Sequence, residues 1–499
     1  MKFEYDNLFN PNRIRQTTIG GRKLLQESLS DHSRIVFSSS FRRLQQKAQV
    51  FSLEKNPFVR SRMTHSIEVA DYGKDIATQI AQKLISTKEL NLEEAATFVQ
   101  IVENACLMHD IGNPPFGHFG EKAIQKWFKD NWEETFKKSF SPSSPIDERY
   151  VNEKNRFENL INDFLEFDGN PQGFRIVTRI LGKPFEVDRK GLNLTYQQLY
   201  CALKYVRVAN GKEGNGPTKK AGYFNSEQDV VDEIKKAYNI DGELTRYPLT
   251  YLMEVADDIA YCLSDMEDGI EKDILTNEKF REHFMKEWVN YNNQENVPLP
   301  IVSELANKKD KEIYFYFKTT LARELIKLAS DTFLERKESI MNGKANELFE
   351  VLKGEHLDQT IVKRIKDAQG ILQCLRNVSK KYLFRSHEAE NKEIAGYYII
   401  SSLMERYSTL LKLSEEKFSN LVEALEKPKA AKGLDVEWRI FHTLPEKYVR
   451  LYEEDKNTHS NDRVWEWFCR AHLIVDYISG MTDDYSLKIY NLFNGIALV

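Results

Sequence analysis

Apolar residues recur at the 3.6-residue period of an α-helix over long stretches of this chain: Glu68 to Leu84, Ala95 to Met108, Leu249 to Ile270, Ile313 to Phe333 and Ile394 to Leu413. A helix patterned this way has one apolar stripe and must bury it against other helices. Only 23 glycines and 14 prolines punctuate 499 residues, and no series of short alternating strands separated by turn dipeptides breaks the pattern. The expected fold class is therefore all-α, with at most a few short strands or hairpins.

Composition narrows the function classes. With 71 Lys+Arg against 76 Asp+Glu the formal charge is −5, which excludes a wholesale basic coat for nucleic acid and leaves room for a local basic groove. A chain that is 41% hydrophobic and 29% charged has material for a sizeable core and is not disordered. No run approaches the ~20 apolar residues of a membrane span. The N-terminal MKFEYDNLFNPNR lacks the apolar core of a secretory signal, so a cytoplasmic protein without membrane partners is expected. Five scattered cysteines (Cys106, Cys201, Cys262, Cys374 and Cys469) sit in apolar helical contexts without C-x-x-C spacing and read as reduced core residues.

Polar, turn-rich stretches at Ser139 to Asn155 and Val208 to Gly222 read as surface insertions rather than linkers. Composition shifts again around Asn290 to Pro300, and beyond it clustered His and Asp disappear. A boundary near 275 to 300 is expected. Residues 1–275 then form a core with an N-terminal arm and inserted loops, and residues 276–499 a helical region packed on it.

Three of the ten histidines, His65, His109 and His118, fall close together in segments rich in Asp, Glu, Gly and Asn. In LMHDIGNPPFGHFGE (107–121) an apolar helix delivers His109 and Asp110, and Gly112-Asn113-Pro114-Pro115 must then break it. An imidazole and a carboxylate thus reach one point from one helix end. Further on, Asp257, Tyr261 and Asp265 stand at i, i+4 and i+8 beside an apolar stripe running from Leu249 to Leu263. Three polar groups in a column on a half-buried face are hard to explain as packing.

This ensemble resembles the HD-domain phosphohydrolases, whose motif is a His, then His-Asp, then a distant Asp. The matching residues are His65, His109, Asp110 and Asp257, which the resemblance makes ligands of a divalent metal. Two imidazoles and two carboxylates suit Mn²⁺ or Mg²⁺, and also Co²⁺, Fe²⁺ or Zn²⁺. The strings RRLQQKAQVF (42–51), RSRMTHSIEV (60–69), CLMHDIGNPPFGHFGE (106–121), FDGNPQGFRIV (167–177), LTYLMEVADDIAYCLSDMED (249–268) and DYISGMTD (476–483) are similar to the bacterial dGTP triphosphohydrolases. That resemblance implies an HD-type helical core and a C-terminal extension that contributes to oligomerisation. It also implies metal-dependent conversion of dGTP to deoxyguanosine and triphosphate, with a role in dNTP pool control.

By the same resemblance His118 and Glu121, spaced i, i+3, are the catalytic acid/base pair; whether His118 serves water or the leaving oxygen stays open. Arg62, Lys204 and Lys220 match the cations for the triphosphate. Gln49, Val50, Tyr261 and Asp265 match sugar contacts, and Asn170 and Tyr205 the nucleotide pocket. Glu405 and Arg439 resemble residues by which one subunit completes a neighbour's pocket. The resemblance further implies a homo-oligomer, a hexamer, open to regulation by deoxynucleotides or single-stranded DNA. A broader dNTP triphosphohydrolase or another HD-domain nucleotide phosphohydrolase is the alternative. A binding module without turnover is disfavoured, because it has no chemical reason to keep four ligands together with His118 and Glu121.

Overall fold

The structure, a computed structural model, describes residues 3–17, 19–140, 148–180, 191–291, 300–307, 313–351, 355 and 357–496. Residues 141–147 of the first polar insertion and 292–299 of the expected boundary lie outside them.

Helices dominate, as the periodicity requires. The expected pieces appear as helices Arg62–Ser86, Leu92–Met108, Thr250–Glu271, Ile313–Glu335 and His387–Leu411. Their ends follow local chemistry. Ser61 caps the first of these by accepting from the Thr64 N–H, and Asn91 caps the second by accepting from Glu93 and Glu94 N–H. Among the described residues the β-structure is one parallel pair, Arg207–Val208 with Ala221–Tyr223, and two isolated bridges, Arg13 with Thr195 and Ala48 with Ser61. The Val208 to Gly222 insertion is thus folded back on itself, and this carries Lys220 inward.

Two large apolar clusters make the core. Helix Arg62–Ser86 packs on helices Leu92–Met108, Thr250–Glu271 and Ile313–Glu335 in the first, with Ile76, Ile101, Phe98, Leu252, Ile259 and Leu263 fully buried. In the second, helices Gly117–Phe140, His387–Leu411 and Arg463–Ser479 meet around Phe128, Phe136, Leu403 and Trp467. Both clusters draw residues from either side of position 275. The five cysteines are buried and unpaired. Among the described residues no helix is long and apolar enough to cross a membrane.

Candidate active site

Helix Arg62–Ser86 presents His65 in its first turn, and helix Leu92–Met108 ends at His109. The chain then turns sharply. Gly112 lies so close to helix Gly169–Arg175 that a Cβ there would sit 2.1 Å from the Gly169 carbonyl oxygen and from the Gly173 nitrogen. Any side chain would force the His-Asp turn off that helix. Helix Thr250–Glu271 supplies Asp257 from the opposite side.

The ligand atoms of His65, His109 and Asp110 all lie within 4.8 Å of one another. Asp257 Oδ1 lies 3.4 Å from both His65 Nε2 and His109 Nε2, and Asp110 Oδ1 lies 3.6 Å from His109 Nε2. A metal bound at ~2.0–2.1 Å sets neighbouring donors roughly 3.0–3.4 Å apart; the two Asp257 contacts match that spacing, while His65, His109 and Asp110 form a looser group that could hold an ion. The His109 tautomer agrees, since its Nδ1–H donates to the Cys106 carbonyl at 2.7 Å and aims Nε2 at the cluster. No hydrogen bond is completed at that buried Nε2 among the described residues.

Electrostatics in the cluster are those of a cation site. Burial alone would lower the His109 imidazole, but Asp110 and Asp257 outweigh it and push the pKa up to about 9. Burial works against ionised Asp110 too, yet Arg62, His109 and His65 hold it down at about 2. The Asp257 carboxyl stays well below the usual range because the Lys204 ammonium and His109 outweigh its burial. Arg62 donates to Asp110 Oδ2 at 2.6 Å and Lys204 to Asp257 Oδ2 at 3.2 Å.

A cavity of about 360 Å³ opens over His109, Asp110 and Asp257, and its walls bring together most of the residues singled out by sequence. Gln49, Val50, Arg62, His118, Glu121, Asn170, Lys204, Tyr205, Lys220 and Tyr261 all line it. His65 lies behind the cluster, fully buried. Asp265 sits beneath the wall, 1% exposed, with neither carboxylate oxygen hydrogen-bonded among the described residues. Burial and the nearby Asp268 push its pKa well up. The Gln49 Oε1 is likewise buried without a partner.

His118 stands at the pocket mouth with its side chain 77% exposed. Its Nδ1 meets Glu121 Oε2 at 2.7 Å, while Glu121 Oε1 accepts the Gly169 N–H at 2.9 Å. Glu121 is thus fixed at both oxygens, and the hydrogen bond it makes raises the His118 pKa. The backbone just before is strained: Phe116 has φ 60° and Gly117 φ 53°, a left-handed conformation that costs a non-glycine residue roughly 1–3 kcal/mol.

Glu405 and Arg439 do not reach the cavity of their own chain. Glu405 accepts from Trp127 Nε1 at 3.0 Å and pairs with Lys412 at 3.2 Å, and Arg439 donates to the Asp435 carbonyl at 2.6 Å. Both are exposed. Other residues reach the cavity without having been singled out. Asp168 holds Lys220 at 2.6 Å, and Asn113, Phe116, Phe119, Phe384 and Glu393 also line the wall. Asp168 could have been found as the cap preceding Gly169 in FDGNPQGF, since it accepts from the Asn170 N–H at 2.9 Å. Glu393 and Phe384 carry no local signal; tertiary packing brings them in.

Similarity to known proteins agrees with this geometry. The HD domain family matches residues 62–162. Deoxyguanosinetriphosphate triphosphohydrolase of Yersinia enterocolitica serotype O:8 / biotype 1B is 34% identical over 500 residues, covering 92% of each chain. The Yersinia pestis (strain Pestoides F) protein of that name is 35% identical over 492 residues, again 92% of each. The Serratia proteamaculans (strain 568) protein is 34% identical over 505 residues, covering 94% of this chain and 93% of its own. With identity at this level along almost the whole length, and with the His and Asp cluster assembled, this chain belongs to the deoxyguanosinetriphosphate triphosphohydrolase family of HD-domain proteins.

Proposed function

We propose that this protein hydrolyses dGTP to deoxyguanosine and intact triphosphate, and so lowers a cellular dGTP pool. One observation supports the reading: His109, Asp110 and Asp257, with His65 behind them, and a fixed His118–Glu121 pair meet at a single cavity of about 360 Å³, within the roughly 300–1,000 Å³ range of small-molecule sites.

His65, His109, Asp110 and Asp257 would hold a divalent ion, Mn²⁺ or Mg²⁺ by donor type, with Co²⁺, Fe²⁺ or Zn²⁺ as substitutes. When bound, such an ion supplies Lewis-acid polarisation of the phosphate and a more acidic water. The remaining tasks fall to this chain's own side chains. Arg62, Lys204 and Lys220 offset the triphosphate charge, Arg62 through a planar fork and the lysines as point charges. Glu121 accepts from His118 Nδ1–H, so Nε2 is the atom that would take up or release the proton in the reaction. Gln49 and Asp265, each with an unsatisfied buried oxygen, would bond the sugar 3′-hydroxyl, one of them accepting its single O–H. Tyr261, between Asp257 and Asp265 on one helix face, would lie against the sugar where a 2′-hydroxyl would project.

For the base, Glu393 is the informative residue. The other cavity carboxylates are engaged: Asp110 with Arg62, Glu121 with His118, Asp168 with Lys220 and Asp257 with Lys204. Glu393 has no such partner among the described residues, and a free carboxylate suits the adjacent N1–H and N2–H₂ donors of guanine. Asn170, Tyr205 and Val50 complete the wall.

The same proposal includes assembly. Exposed Glu405 and Arg439 would complete a neighbouring copy's pocket in a homo-oligomer, a hexamer, built largely through residues 276–499. Such an assembly would act in the cytoplasm and respond to deoxynucleotides or single-stranded DNA. The test is a panel of four dNTPs and GTP with Mn²⁺, read for nucleoside and for phosphate speciation, alongside sedimentation of the same sample. Deoxyguanosine with intact triphosphate is expected. Orthophosphate or diphosphate as the first product rejects the reading, and equal rates on all four dNTPs replace it with a broad dNTP triphosphohydrolase.

A further inference from the structure

The string DYISGMTD (476–483) is far from the pocket in sequence, and none of its residues lines the cavity. Its last residue nevertheless touches the pocket's backbone on two sides. Asp483 begins helix Asp483–Phe493 and is 3% exposed. Its Oδ1 accepts the Phe116 N–H and its Oδ2 accepts the Ala48 N–H, both at 3.2 Å. These two amides belong to two separate segments of the wall. Phe116 precedes Gly117 and His118, while Ala48 precedes Gln49 and Val50.

A second buried titratable side chain lies alongside. Lys47 is 3% exposed, and its ammonium donates to the carbonyls of Asn113 at 2.5 Å and Ser479 at 2.9 Å. The Lys47 carbonyl accepts the Arg62 N–H at 2.9 Å, and Ala48 bridges Ser61. The buried side chains of Asp483 and Lys47 therefore tie segments 47–50, 61–62, 113–118 and 479–483 together. Buried charges are costly unless their hydrogen bonds are made. Here those bonds go to main-chain groups, three of them, at Ala48, Asn113 and Phe116, in the pocket wall.

The strained residue at this junction gives the arrangement a purpose. Phe116 holds φ 60°, which it keeps only if its surroundings over-determine it. Asp483 grips its N–H from one side. From the other, its ring lies where Gly396 has no side chain: a Cβ there would sit 2.3 Å from the Phe116 ring. We propose that Asp483, backed by Lys47, is a positioning residue that sets His118 against the metal cluster by holding Phe116, and sets Gln49 by holding Ala48.

This rests on the reading of His118 above, and a double-mutant cycle tests it on the full-length Mn²⁺-loaded protein. Asp483→Asn keeps the shape but turns an amino group toward one of the two N–H donors. With dGTP its kcat should fall by on the order of 10–10²-fold, since misplacement on the scale of 1 Å costs this much. In the His118→Ala background the same change should cost less than about threefold, because residues acting through one another are not additive. Equal factors in both backgrounds overturn the proposal, as does a loss accounted for by a smaller folded fraction. Gly396→Ala, pressing on Phe116 from the opposite side, should couple to His118 in the same way and replaces Asp483→Asn if that variant does not fold. Hydrogen exchange gives a readout independent of turnover: in either variant, protection of the amides of Asn113 and of residues 116–119 should fall by an order of magnitude or more while helix Leu92–Met108 keeps its own. Unchanged exchange at Asn113 and 116–119 refutes the clamp, whereas a wild-type protein that releases no triphosphate refutes only the proposed activity.

Discussion

Glu121 holds His118 by a 2.7 Å hydrogen bond at Nδ1 while its own second oxygen is pinned by the Gly169 N–H at 2.9 Å. The imidazole is exposed but not free, and its pKa lies above the ordinary value because of that hydrogen bond. Replacing His118 by Ala should leave bound metal in place and lower kcat on the order of 10²–10⁴-fold, the usual share of acid–base help. Metal analysis of the purified variant checks this, and loss of metal would make His118 a ligand instead.

Glu121→Gln should move the His118 limb of the pH–rate profile to lower pH, because removing the carboxylate removes what favours the protonated ring. If His118 acts as an acid, the limb is a loss of rate as pH rises; if as a base, a gain. Its displacement has the same sign in both cases, and a limb that stays put would exclude His118 as its source.

Asp110→Ala and Asp257→Ala should each abolish turnover and strip the ion, since either change removes a ligand and a negative charge from a dicationic site. Either variant with wild-type activity and metal content would refute the ligand set.

Metal affinity should tighten with pH. His109 carries a proton up to about pH 9 in the metal-free protein because Asp110 and Asp257 outweigh its burial, and the ion must displace that proton. The apparent Kd for Mn²⁺ should therefore fall by up to about tenfold per unit between pH 7 and 9 and flatten above. Calorimetry in buffers of different ionisation enthalpy should show about one proton released per ion at pH 7.5; no pH dependence would contradict it.

Tyr261→Ala should lower dGTP turnover and narrow the preference for dGTP over GTP. An added 2′-hydroxyl left unpaired against the ring costs ~1–3 kcal/mol, roughly 5- to 150-fold in the kcat/KM ratio. If both substrates fall equally, Tyr261 is a packing residue. Glu393→Gln, with Asp110 and Asp257 intact, should instead act on the base: losing about 2 kcal/mol of charge-assisted hydrogen bonding cuts the dGTP over dATP ratio by about 30-fold. An unchanged ratio would remove Glu393 from base recognition.

Wherever the signal is local, the sequence by itself determined the outcome. The 3.6-residue period of the apolar residues made the fold helical, and Asn91 and Ser61 began two of its helices where capping chemistry demands. Adjacent His109 and Asp110 before Gly-Asn-Pro-Pro, and the i, i+4, i+8 column of Asp257, Tyr261 and Asp265, put polar groups on definite helix faces. Only the tertiary structure decided the rest. Lys47 in QQKAQ has the sequence of a solvated lysine, but its ammonium is spent on carbonyls 66 and 432 residues away. Asp483 reaches amides 367 and 435 residues back, and Glu393 enters the cavity on a helix whose pattern records only its own buried stripe. Such residues have no spacing to betray them, because whether a charge is solvated, paired or facing a ligand depends on which other segment approaches it, and the approach is set by packing of the whole core.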